Sequence, residues 1–460
     1  MGWISWLCPG IQLKRWLLLF TAGVIVCAFS LAVLFNNQVM GMAEELLFRI
    51  SYLATGSYGN GVAVAVGIAG MLLGICAMIY AIKRIVRSIV EAVSPESSGS
   101  LMETIFTQRK LSSGPAITAV GGGTGLSTLL RGMKFITGNC TAVVTVGDDG
   151  GSSGRLRQDL GIIPPGDLRK CIVAMADREP LMERVMQYRF AGDSYLSGHS
   201  LGNLFLAAIA ETEGGMEEGL DAASQIFKVR GKVVPSTLHS IQLAADMTDG
   251  TFVLGQAEIA QARKKVRRLR MLPEDVPATK SAVKAIMNAD ILILGPGSLY
   301  TSVICNLLVP EIREAVLNSK AIKIYICNVM TQPGETDGYS AYEHVKAITD
   351  YAGAPFLDYV IVNSQEISEE QKVIYLAKEQ VPVMPDIDKI EKMGIKVIPA
   401  SLISRSDMVR HDPQKLAQAI MSLTYRLRLF GRGFVFFDYF FMRHNMRKIA
   451  RQLGQSEKKE

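Results

Sequence analysis

The run Ala119-Val120-Gly121-Gly122-Gly123-Thr124-Gly125-Leu126 constrains this chain more than any other stretch. Ala116 to Val120 is apolar and long enough for a buried strand, and Leu126 to Met133 carries apolar residues at helical spacing. The glycines therefore sit at a strand-to-helix turn, the place where an α/β fold puts a phosphate. Without Cβ atoms the backbone approaches an anion closely, and the exposed N–H groups of a helix start favour negative charge. A second apolar strand, Thr141 to Val146, ends in Gly147-Asp148-Asp149-Gly150-Gly151-Ser152-Ser153-Gly154-Arg155. Asp148 stands at that strand end roughly two dozen residues after the glycines, the spacing at which nucleotide-binding folds place a carboxylate for ribose hydroxyls. The turn is not the spaced G-x-G-x-x-G fingerprint, because Leu126 occupies the place of its last glycine.

Two runs without a charge precede this region, Trp16 to Phe35 and Gly61 to Ile82, each long enough to cross a hydrocarbon core of about 30 Å as a helix. They account for a hydrophobic content of 49% and a mean hydropathy of +0.22, above an ordinary soluble domain. The first is too long for a signal-peptide core and has no small-residue cleavage site before Asn36, so the two read as a retained transmembrane hairpin. Buried core helices of a soluble protein are the plainer alternative. Lys14 and Arg15 before the first run, and Lys83, Arg84 and Arg87 after the second, place both termini and the main domain on the cytoplasmic side.

Four segments follow: a hairpin over 1–93, a linker over 94–113, a main domain over 114–425 and a tail over 426–460. The hairpin's outer loop includes a short interfacial helix within Met40 to Ala54. The linker is polar and rich in breakers, Ser94-Pro95-Glu96-Ser97-Ser98-Gly99-Ser100. The tail holds nine Lys or Arg against three Asp or Glu, which matches the +6 of the whole chain and leaves the rest neutral in sum. A globally basic nucleic-acid binder is excluded by that balance. Phe430, Phe434, Phe436, Phe437, Tyr439, Phe440 and Phe441 interleave with the tail's arginines, a pattern that suits the anionic face of a membrane or a last packed helix. Seven cysteines without a C-x-x-C pair indicate neither a disulfide framework nor a zinc site.

Within the main domain, Pro164-Pro165-Gly166-Asp167-Leu168-Arg169 reads as a turn into a helix with Asp167 as its N-cap. Helical patterns run over Leu168–Ala176, Leu181–Phe190, Ser200–Ala210 and Met216–Phe227. Ile241 to Met271 is strand-like around an Asp249-Gly250 hairpin turn, and its basic run Arg263 to Arg270 fits a solvated strand face or a phosphate or protein contact. Strands at Ile291–Leu294, Ala321–Cys327, Tyr359–Asn363 and Ile395–Pro399 alternate with helices near Ala341–Thr349, Glu366–Ala377 and Pro413–Tyr425. The expected class is α/β: a doubly wound, Rossmann-like parallel sheet with helical and β-hairpin insertions, preceded by the transmembrane hairpin. Loops at the strand carboxyl ends then converge on one crevice.

Asp148 and Asp149 admit three roles: holding a divalent cation such as magnesium that bridges a diphosphate, accepting from hydroxyls, or deprotonating an acceptor hydroxyl in a transfer reaction. Turn chemistry, with Asp capping its own loop, competes with all three. His199, at a helix entrance, fits an acid, a phosphate donor or a structural hydrogen-bonder. Tyr300 fits base stacking or buried packing. No H-E-x-x-H occurs.

Six ordered motifs resemble the bacterial YvcK-like family of gluconeogenesis factors, within the CofD-like superfamily named for 2-phospho-L-lactate transferase. They are Gly121 to Gly125, Gly147 to Gly154, Pro165 to Arg169, His199 to Asn203, Gly295-Pro296-Gly297-Ser298-Leu299-Tyr300-Thr301-Ser302, and Met330-Thr331-Gln332-Pro333-Gly334-Glu335-Thr336. The resemblance implies a nucleotide site in which Gly122, Gly123, Thr124 and Gly125 hold phosphate and Asp148 and Asp149 face the ligand. Asn203 stands beside it, and Gly297, Ser298 and Tyr300 line the nucleotide. It further implies a UDP-sugar ligand such as UDP-N-acetylglucosamine, a binding and regulatory role linked to gluconeogenic growth, cell shape and wall synthesis, and an unidentified protein partner. The transferase branch implies instead group transfer from a nucleotide diphosphate to a hydroxyl. With the hairpin, the expected location is the bacterial inner membrane, and self-association stays open.

Overall fold

The computed structural model describes residues 13–34, 60–93 and 111–427, apart from 113, 178 and 405–408, and isolated positions between 41 and 53. The expected interfacial helix, most of the linker and the tail beyond 427 therefore lie outside the described residues. The chain divides into two compact units, Met1–Gln108 and Arg109–Glu460.

The first unit pairs α1 (Leu13–Leu34) with α2 (Asn60–Val93) through small side chains. Gly70 and Gly74 are four apart, and a Cβ built on Gly74 would lie 2.8 Å from the Gly23 carbonyl oxygen. On Gly23 it would lie 2.8 Å from Met78 Cγ. Such small-xxx-small stripes let helix backbones approach closely without a water-driven core. Trp16 meets Tyr80 edge to face with ring centroids 5.5 Å apart, and with the Gly23–Met78 and Gly70–Ser30 contacts this shows the two helices to be antiparallel. Outward-facing Leu18, Ile25, Phe29, Leu72, Leu73 and Ile79 remain exposed. Among the described residues one helix, Gly67–Val86 at mean hydropathy 1.7, is long and apolar enough to cross a membrane, whereas the apolar part of α1 is the shorter Leu18–Leu31.

The second unit opens with β1 (Ile117–Gly121), α3 (Gly123–Met133), β2 (Cys140–Val144), α4 (Gly151–Leu160), α5 (Gly166–Met175) and α6 (Glu179–Gln187). It continues with α7 (Leu201–Thr212), α8 (Met216–Ile226), β3 (Lys232–Pro235), β4 (Gln242–Met247), β5 (Phe252–Leu254), α9 (Gln256–Ala262) and β6 (Val266–Leu272). Then come α10 (Lys280–Met287), β7 (Ile291–Leu294), a π-helical turn Leu299–Ile304, α11 (Pro310–Asn318), β8 (Ile322–Ile326) and α12 (Ala341–Ala352). The unit closes with β9 (Tyr359–Asn363), α13 (Glu369–Leu376), α14 (Ile387–Glu391), β10 (Lys396–Ala400) and α15 (Pro413–Arg426).

Seven strands form one sheet in the order β10-β9-β8-β7-β1-β2-β3, and every pairing in it is parallel. β1 and β7 are buried along their whole length, as strands covered by helices on both faces must be. A three-stranded antiparallel sheet, β5-β4-β6, carries the expected Asp249-Gly250 turn. The chain leaves β1 toward β2 and β3, then returns to β7 on the other side. That reversal opens a crevice beyond the carboxyl ends of β1 and β7, where doubly wound sheets bind ligands.

Candidate functional site

Two turns meet at this crevice. The first follows β1, where Gly122 is extended and Gly123 takes φ +64°, a left-handed conformation that L side chains rarely adopt. The second follows β7 through Gly295, Pro296, Gly297 and Ser298 into the π-helical turn. They touch directly: a Cβ built on Gly125 would lie 2.6 Å from the Pro296 carbonyl carbon, and one on Gly297 would lie 3.3 Å from the Gly122 oxygen. Ser302 fills the angle between them, 3.5 Å from where a Gly123 Cβ would stand. Thr124, one residue into α3, is exposed.

The carboxylates divide their roles. Asp148 lies at the mouth of β2 with one oxygen 3.2 Å from the Gly150 amide, and burial followed by the nearby Asp167 raises its pKa. Asp149 points elsewhere. Its two oxygens accept the N–H groups of Gln256 and Ala257 at 2.8 and 3.0 Å, so it caps α9 rather than facing a ligand beside Asp148. This corrects the expectation of a ligand-facing pair: α9 begins next to the loop and offers two orphan amides that a carboxylate satisfies well. The second carboxylate of the crevice is Asp167. Instead of capping its own helix it accepts the Gly123 N–H at 2.6 Å and Lys170 Nζ at 2.9 Å. Burial works to lower the Lys170 pKa, but the hydrogen bond and charge of Asp167 with the charge of Asp148 together raise it.

Behind Asp148 runs a buried polar chain. Asn203 Nδ2 donates to Ser152 Oγ at 3.1 Å and to Ser153 Oγ at 3.4 Å, while His199 Nδ1 lies 3.2 Å from Ser152 Oγ. Ser200 caps α7 and accepts the Asn203 amide, which fixes where Asn203 stands. Asn203 Oδ1 is buried and without a partner among the described residues, an acceptor left open inside the site. Burial, then Arg155, lowers the His199 pKa.

Tyr300 belongs to the packing. It is 4% exposed, its hydroxyl is 3.0 Å from that of Tyr339, and its ring meets Tyr351 edge to face. Base stacking is thereby corrected, since both the ring and the hydroxyl are already engaged. Gly297 and Ser298, half-buried, lie on the turn that packs against the glycine turn. A separate cleft of about 580 Å³ opens at the amino ends of β1, β2 and β3, beside Asn139, Lys232 and Lys284. None of the expected site residues lines it.

A doubly wound sheet with two glycine turns packed at its reversal point defines a Rossmann-like α/β protein. The chain belongs to the CofD family: residues 117–403 match the family described as 2-phospho-L-lactate transferase CofD. It is 46% identical over 310 residues to the gluconeogenesis factor of Bacillus subtilis, covering 67% of this chain and 98% of that one. A relative of the same gluconeogenesis-factor name from Clostridium acetobutylicum is 40% identical over 459 residues, 97% of this chain and 98% of its own. A crystal structure of a Bacillus halodurans protein superposes with TM-score 0.65 at 46% identity, over 67% of this chain and 99% of that chain. These findings make the chain a gluconeogenesis-linked, CofD-like protein.

Proposed function

We propose that this protein binds a UDP-sugar in the β1/β7 crevice and acts as a membrane-anchored sensor of envelope precursors. The observation that carries the reading is the direct packing of the glycine turn against the 295–302 turn. It leaves one strip of small residues where a diphosphate can lie close to backbone amides. Asn203, with its open amide oxygen, suits a hydroxyl or N–H donor on the sugar.

Two carboxylates at a phosphate site need a cation. Asp148 and Asp167 suit a magnesium ion, which commonly takes one or two carboxylates together with substrate phosphates. No third His, Cys, Asp or Glu joins them in a metal-sized group among the described residues. When bound, the ion would neutralise phosphate and carboxylate charge. Lys170 donates to the Asp167 oxygen that Gly123 does not use.

The hairpin supports a membrane location by its small-residue seam and its apolar outer faces, with the main domain in the cytoplasm. A protein partner in wall synthesis would read the ligand-bound state. The test is thermal unfolding with UDP-N-acetylglucosamine, UDP and ATP at concentrations well above a micromolar Kd. A ligand that binds the native state must raise the melting temperature. A selective rise with the UDP-sugar is the expected result, and no rise with any nucleotide would sink the reading.

A transferase reading is favoured by one observation, the raised pKa of the Asp148 carboxyl, which suits a base for an acceptor hydroxyl. Release of the nucleotide from a UDP-sugar in the presence of magnesium, lost in Asp148→Asn, would establish it.

A further inference from the structure

We infer that Glu335 is the positioning residue of the nucleotide-side turn, holding the π-helical segment so that Ser302 and Gly297 sit against the glycine turn. This rests on the proposed nucleotide site. Glu335 lies on the loop after β8 and is 1% exposed. Its Oε2 accepts the Tyr300 N–H at 3.2 Å, and its Oε1 accepts the Thr301 hydroxyl at 2.8 Å.

Those are the second and third residues of a π-helical turn whose own N-cap, Ser298, supplies no side-chain bond. A helix start leaves amides without partners, and Glu335 satisfies one of them from 35 residues away. Single π turns are frequent at functional sites.

Stability alone does not call for a carboxylate here. Among the described residues no cation pairs with it, and burial raises its pKa. An apolar replacement of both partners can be nearly neutral in stability, whereas a buried charge facing neutral donors is costly. What the carboxylate adds is position. With Tyr300 and Thr301 fixed, Ser302 Cβ comes within 3.1 Å of a Gly297 Cβ position and 3.6 Å of a Gly122 one. The loops after β1, β7 and β8 are thereby linked.

The test uses the full-length protein in detergent micelles, with Glu335→Gln, Thr301→Val and the double variant. Hydrogen exchange of the ligand-free protein is followed over residues 121–126 and 295–304, and UDP-N-acetylglucosamine is titrated with magnesium. Each single variant is expected to speed exchange in both segments and to weaken binding about tenfold, the loss of one charge-assisted bond. The double variant is expected to be no weaker than Glu335→Gln, because both changes break one unit. Wild-type exchange and affinity in Glu335→Gln, or a lowered melting temperature with affinity retained, would overturn the inference. Should the wild type bind no nucleotide, the site reading fails while the exchange experiment still decides on Glu335. Should Glu335→Gln not fold, Thr301→Val, nearly the same size, carries the same comparison.

Discussion

The Asp167 carboxylate accepts the backbone N–H of Gly123 at 2.6 Å. An acid thus occupies a donor at the turn best suited to phosphate. An arriving phosphate competes with it unless a cation lies between them. Nucleotide affinity is therefore expected to fall at least tenfold when magnesium is replaced by EDTA, and the ratio is expected to shrink in Asp167→Asn. Titrations at both conditions measure it, and an EDTA effect unchanged by the substitution would count against a cation at Asp167.

The two adjacent aspartates are expected to behave differently. Asp149→Ala removes the cap of α9 and should cost about 1–2 kcal/mol of stability, with affinity within about twofold of wild type. Asp148→Asn should leave stability near wild type and weaken binding more than about tenfold. Denaturant unfolding beside ligand titration separates these outcomes, and equal losses of affinity would restore a ligand-facing pair.

Gly125→Ala tests the junction of the turns. Its Cβ would meet the carbonyl carbon and oxygen of Pro296, backbone atoms that cannot swing aside as a side chain can. A lowered melting temperature with loss of nucleotide binding is expected. Retention of both would show that the turns part easily.

Acid should destabilise the domain through two histidines. His344 is fully buried, with Nδ1 at 2.8 Å from the Ser340 oxygen and Nε2 without a partner among the described residues, and burial lowers its pKa. Burial holds His411 at about 4, against an ordinary 6.5. Since both pKa values are lower folded than unfolded, protons bind the unfolded chain more readily. The stability these rings lend is full above about pH 6.5 and is lost as pH falls toward 4. His411 is only half-buried, so roughly 2 kcal/mol is expected to be lost by pH 4.5. Urea unfolding of wild type and His411→Gln at pH 7 and 4.5 checks this, and an identical pH dependence would refute it.

In the first unit, Gly74→Leu forces side-chain atoms toward Cys27 and the Gly23 backbone, and should separate α1 from α2. Cysteine cross-linking across the pair reads this directly. On the proposed membrane location, the full chain should sediment with membranes and deletion of residues 1–108 should release it, whereas a full chain that stays in the soluble fraction, or a deletion that stays with membranes, would contradict the hairpin as anchor.

Much of the fold was legible because its signals are local. The strands at Ile117, Ile291 and Tyr359 are short apolar runs between breakers, and the Asp249-Gly250 turn marks its own hairpin. α4 carries no clear signal in the sequence, because Gly151-Ser152-Ser153-Gly154 has poor helix propensity, and tertiary packing of its buried serines overrides that. β3 is four residues long and ends in Pro235, too brief for a period to show. α9 follows a strand with little pause and is fixed by Asp149, over a hundred residues earlier. At the site, glycine positions were readable from the turn they build. Asp167 was not, because an acid at a helix start looks like a cap whether it serves its own helix or another's first amide.

The most direct measurement is isothermal titration of the full-length protein with UDP-N-acetylglucosamine and magnesium, followed by chromatography of the recovered nucleotide. Saturable binding with intact ligand, weakened in Asp148→Asn, is the expected result. Absence of binding by any nucleotide would contradict it and would leave the two packed glycine turns as architecture alone.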